Sequence, residues 1–91
     1  MQQNIYSIYD TKLQAFFSPF TAQNDDVAKR NFTDLANDQN SRIHQHPEDY
    51  QLIKVGRWND STGEITPEQH NNLGFASEYK HAEPIAKTTS D

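Results

Sequence analysis

The chain has 91 residues, enough for one domain; 33% are apolar, 11% are aromatic and the mean hydropathy is −1.01, so its core is thin and built around rings. A net charge of −5 argues against a nonspecific nucleic-acid coat, because such coats draw affinity from basic residues that neutralise phosphates. The absence of cysteine excludes disulfides and thiolate metal sites.

The start, Met1-Gln2-Gln3-Asn4, lacks the basic patch and apolar run of a secretion signal, and no segment reaches the ~20 apolar residues of a membrane span. The expectation is a cytoplasmic protein without a membrane contact. Asn31-Phe32-Thr33 and Asn59-Asp60-Ser61 then match the glycosylation pattern by chance.

In chain order, Ile5-Tyr6-Ser7-Ile8-Tyr9 has the β-branched and aromatic composition of a strand. Asp10-Thr11-Lys12 reads as a turn, since an Asp at its first position bonds the backbone ahead of it. Residues 13–22 read as a second strand around Phe16, Phe17 and Phe20, lying at a sheet edge or broken at Pro19. Asn24 or Asp25 caps a helix whose apolar stripe is Val27, Ala28, Phe32, Leu35 and Ala36, ending between Asn37 and Asn40. A polar connection over 38–49 leads into residues 50–58, the strongest strand in the chain. Asn59-Asp60-Ser61-Thr62-Gly63 is a hairpin turn with Gly63 in a left-handed conformation, and a short strand surrounds Glu64-Ile65-Thr66. Residues 68–91 are polar and read as a tail, flexible alone or ordered by a partner.

These elements predict an α+β domain over residues 1–67 with the order β-β-α-β-β. The sheet is four-stranded and antiparallel, ordered 2-1-3-4, with the helix on one face. One helix covers one face only partly, and the other needs water, a partner or a second copy. Strict alternation along the third strand puts Ile53 and Val55 under the helix with Arg57 at the rim. It turns Tyr50, Leu52, Lys54, Gly56 and Trp58 to the open face.

Three chemistries are offered by these residues. His44-x-His46 followed by Glu48 and Asp49 offers metal-ligand types, yet His70 and His81 lie far along the chain and four compact ligands are missing; no metal is expected. His46 with Asp49 has the composition of a general-base pair, but three glycines form no phosphate loop and nothing marks a pocket; no catalytic residue and no cofactor are expected. Lys12, Tyr50, Lys54, Arg57 and Trp58 form a candidate nucleic-acid surface, cations following phosphates while rings stack on bases. The plainer reading of Tyr50 and Trp58 is core or a dimer interface.

Two stretches carry a resemblance. Ile5-Tyr6-Ser7-Ile8-Tyr9-Asp10-Thr11-Lys12 is followed by Phe17-Ser18-Pro19-Phe20, Asn24-Asp25 and Ala28-Lys29-Arg30-Asn31-Phe32. Then come His46-Pro47-Glu48-Asp49-Tyr50-Gln51-Leu52, Val55-Gly56-Arg57-Trp58-Asn59 and Thr62-Gly63. In this order and spacing, over about residues 4–67, they resemble the small nonstructural protein of gokushoviruses, tailless phages of the Microviridae with single-stranded circular DNA genomes. The resemblance implies a role in viral DNA replication, in the switch to single-strand synthesis or in packaging, within the cytoplasm of the infected bacterium. The expected partners are single-stranded DNA, viral or host replication proteins, and a second copy in a homodimer. The rival expectation is a protein-only adaptor or dimerisation module that never touches nucleic acid.

Overall fold

The computed structural model describes residues 2–80. The apolar stretch at the start forms β1 (Gln2–Asp10), and the chain reverses on Asp10, whose carboxylate accepts from the amides of Lys12 (2.9 Å) and Leu13 (3.1 Å). The returning segment is not one strand but two, β2 (Ala15–Phe16) and β3 (Phe20–Ala22), both antiparallel to β1. Pro19 has no N–H to give, so the ladder breaks across residues 17–19. Two bonds hold the break against β1: the Phe17 amide to the Ile8 carbonyl (2.8 Å) and the Ser7 hydroxyl to the Phe17 carbonyl (2.7 Å).

Asn24 caps α1 (Asp25–Asn37), its side chain accepting from the Val27 amide at 2.9 Å, while Asp25 and Asp26 sit at the positive end of the helix dipole. The buried stripe is Ala28, Phe32 and Ala36; Val27 and Leu35, expected in it, are more than a third exposed. The polar connection has structure of its own. Ser41 caps a short helix, α2 (Arg42–Gln45), which buries Ile43, and a 3-10 turn over Pro47–Asp49 delivers the chain to β4 (Tyr50–Asn59). The turn after β4 holds Gly63 at φ +78°, the left-handed conformation that glycine adopts without strain.

The last strand, β5 (Ile65–Phe75), is far longer than expected, and a 3-10 turn over Ala76–Glu78 follows it. The domain therefore does not end at residue 67. Ala76 is wholly buried, and the Tyr79 ring packs edge-on against Phe32 (5.6 Å) while its hydroxyl donates to the Leu73 carbonyl (2.6 Å). An edge strand with one wet face needs few apolar residues, which is why this segment reads as a tail. The expected tail beyond residue 80 lies outside the described residues.

The fold is α+β with one main helix on an antiparallel sheet. The sheet has five strands instead of four, in the order β2-β1-β4-β5, with β3 also on β1. The helix-side core gathers Tyr6, Ile8, Phe32, Ile43, Tyr50 and Leu52.

The register of β4 corrects the expected faces. Ile8 pairs with Leu52 and Tyr6 with Lys54, but Ile5 pairs with Gly56, so Val55 is an extra residue on β4. A bulge of this kind reverses the side on which each later residue falls. Tyr50, Leu52 and Lys54 therefore share the helix side, whereas Gly56 and Trp58 lie on the opposite side with Ile5. Ile53, expected under the helix, pairs with Ser7 on the side away from it.

Candidate functional site

The face turned away from α1 carries two shallow apolar grooves, placed along the strand direction on either side of Pro19. One, of about 260 Å³, is lined by Ile5, Pro19, Phe20, Thr21, Trp58 and Ile65. The other, of about 240 Å³, is lined by Ser7, Phe16, Phe17, Pro19, Val55 and His70. Phe16 lies against Tyr9 (ring centroids 4.7 Å) and meets His70 edge-on at 5.7 Å, so rings run along this side of the sheet. Ile65 is 65% exposed and Phe16 47%, against a buried Ile5 at 9%.

The strands of this face are electrically plain, with the Asp60 carboxylate held at its edge by the Gln3 side chain. The pairing register and groove linings place Gln3, Ile5, Ser7 and Tyr9 of β1 here, with Gln51, Ile53, Val55 and Trp58 of β4 and Ile65, His70 and Asn72 of β5. With His70 neutral, none of these carries a formal charge.

The five residues expected to form a nucleic-acid surface are not brought together. Trp58 is on the open face, half-buried in the first groove. Tyr50 is 3% exposed on the helix side, its ring edge-on to Phe17 (5.7 Å). Burial, with the Asp10 charge nearby, pushes its hydroxyl above the usual tyrosine range. Lys54 is also on the helix side, correcting its expected place on the open face. The bulge puts it beside Arg57, and both bind one carboxylate: Lys54 Nζ lies 3.6 Å from Glu68, and Arg57 Nε bonds the other Glu68 oxygen. Lys12 is exposed at the β1–β2 turn, away from both.

The residues that do cluster with Trp58 are Ile5, Pro19, Ile65 and, in the next groove, Phe16, Val55 and His70. Alternation read without the bulge assigned Val55 to the wrong side. The polarity of residues 68–75 hid β5 and with it His70. Val55-Gly56 within a strand was the available signal, because glycine there often marks a bulge.

His46, Glu48 and Asp49 offer ligand atoms within 4.8 Å of one another on the 3-10 turn. His46 and Glu48 are exposed, and all three are within four residues of one another at a single turn.

Residues 3–79 match the family described as Phage ORF5 protein. The chain belongs to that family. The match runs from β1 through the Tyr79 ring, so the Phage ORF5 unit includes the whole of β5 and the closing turn. No curated protein and no solved structure matches this Phage ORF5 family member. Among its described residues, no helix is long and apolar enough to cross a membrane.

Proposed function

We propose that this is a nonstructural phage protein that assists viral DNA replication, the switch to single-strand synthesis, or packaging, as a binding module without catalysis. It works in the cytoplasm of the infected bacterium and joins protein to protein through the sheet face turned away from α1. Membership of a phage family and the resemblance to the gokushovirus nonstructural protein support the setting. The observation that carries the protein-contact reading is the chemistry of that face: rings and aliphatic groups with no formal charge on the strands, in a chain of net charge −5. Depletion of charge and enrichment in aromatics mark the centres of protein interfaces.

The test is genome synthesis in infected cells supplied with a variant chain. Trp58→Ala should lower the yield of single-stranded genomes while circular dichroism shows the fold retained. An undiminished yield from a folded Trp58→Ala chain would overturn the reading.

A second reading, single-stranded DNA laid on the same face, is favoured by its rings, Tyr9, Phe16 and Trp58; stacking contributes roughly 1–3 kcal/mol per base. Its difficulty is electrostatic, because Lys54 and Arg57 are both held by Glu68 on the other side of the sheet. In this reading oligonucleotides quench Trp58 fluorescence, less so as salt rises, and Glu68→Gln strengthens binding modestly by lowering the chain's net negative charge. Quenching that ignores salt, or none, counts for the protein-contact reading.

A further inference from the structure

We propose that the occupant of the open face is a second copy of this chain, bound face to face about a two-fold axis that lies across the strands. This rests on the reading of that face as a protein-contact surface and names the partner.

Charge is the first argument. Two copies at −5 repel, since each carries 13 acidic side chains against 8 basic ones and has no excess of cations to offer the other's acids. A foreign partner has the option of complementary cations; a copy needs a patch where neither side is charged. The strands of the open face provide one. The helix side does not, with Asp25, Asp26 and Asp34 on α1 and the Lys54–Glu68–Arg57 cluster beyond it.

Shape is the second. Each end of the face has an apolar projection beside a groove: Ile65 by the Trp58 groove, and Phe16 by the groove containing Val55 and His70. A two-fold axis across the strands reverses one copy end for end. Phe16 of each copy then enters the Trp58 groove of the other, and Ile65 enters the groove beside Val55, so every contact is made twice.

Area is the third. Strands of about nine residues at ~3.3 Å each, with neighbours ~4.8 Å apart, give a face of roughly 30 by 20 Å. Two such faces in contact bury on the order of 1,200 Å² of projected surface, the lower end of the range for stable specific complexes.

The experiment is sedimentation equilibrium of the full chain at micromolar concentrations, at low and high salt, with and without a single-stranded oligonucleotide. The expected mass without DNA is twice the 10.5 kDa of one chain. Higher salt should tighten the pair, because it screens repulsion between acidic copies. Ile65→Asp, at a position 65% exposed and therefore compatible with folding, should raise the dissociation constant by about 100-fold or more by burying two unpaired carboxylates. Val27→Asp, in the first turn of α1 on the other side of the molecule, should leave it unchanged. A monomer at every concentration, a pair formed only with DNA, or a pair indifferent to Ile65→Asp overturns the proposal. A monomer in which Ile65→Asp still lowers genome yield overturns the second copy alone and leaves the protein-contact reading standing.

Discussion

Tyr6 is wholly buried in the helix-side core, and its hydroxyl, which reaches the start of α1, is satisfied twice. It donates to the Asp25 carboxylate at 2.6 Å and accepts from the Asn4 amide at 3.0 Å, tying β1 to the start of α1. Tyr6→Phe removes both bonds and should cost about 1–2 kcal/mol, read as a lower urea midpoint. Burial, reinforced by Asp25, pushes the Tyr6 hydroxyl from 10.0 up to about 12. A pKa raised in the folded state means that the contribution is complete below pH 10 and is lost as pH rises through about 12. Stability should therefore fall across that interval, and less steeply in Tyr6→Phe. Gly56 makes a different demand: a β-carbon there would lie 2.6 Å from the Thr66 carbonyl oxygen. Gly56→Ala should destabilise by roughly 1–3 kcal/mol through overpacking of β4 on β5, again measured by denaturant titration. Single residues whose work is local were legible in the sequence, among them Asp10 at its turn, Asn24 at its cap and Gly63 in its hairpin. Tyr50 and Lys54 were not, because their side of the sheet depends on the extra residue Val55, and alternation counted along one strand carries no sign of its partner's register.

Among the elements, α1 is too short to stand by its own propensity and depends on its cap and its packing. Asn24→Ala should cost about 1 kcal/mol, seen as a lower thermal midpoint with no change in the helical signal at low temperature. The C-terminal turn completes the packing on α1 through Tyr79, whose carbonyl also accepts from the Asn37 side chain (3.1 Å). Tyr79→Ala should lose about 2–4 kcal/mol, by the same measurement, whereas a residue in a flexible tail would lose nothing. The sequence foretold β1, α1 and β4, whose apolar residues recur at the spacing of their elements. It foretold little of β5, since Glu68, Gln69, His70, Asn71 and Asn72 form a polar run, and cross-strand pairing with β4 supplies the order that composition withholds. Pro19 announced a break or an edge, and the structure contains both.

At the scale of the molecule, one helix over an antiparallel sheet leaves the other side to find its own cover, an imbalance legible in the sequence from the element order. The places of Gly56 and Trp58 on that face were legible too, whereas those of Ile53 and Val55 were not, because alternation takes no account of the bulge. With an isoelectric point near 5.2, the repulsion that keeps copies apart vanishes at mildly acidic pH, while the apolar face remains. The pair should therefore be tightest near pH 5.2, read by sedimentation over a series of pH values, and Ile65→Asp should weaken it there as at neutral pH. The margins of the sheet bear on the same question. One border is chopped into two stubs by Pro19; the other carries Pro67 and a kinked run, Glu68 to His70, where β5 outruns its neighbour. Borders so irregular resist zipping onto further strands, which is how fibrils elongate. Concentrated chains are thereby kept from seeding ribbons: among the described residues growth is left to stacking on the open face, and a face-to-face pair uses that face up.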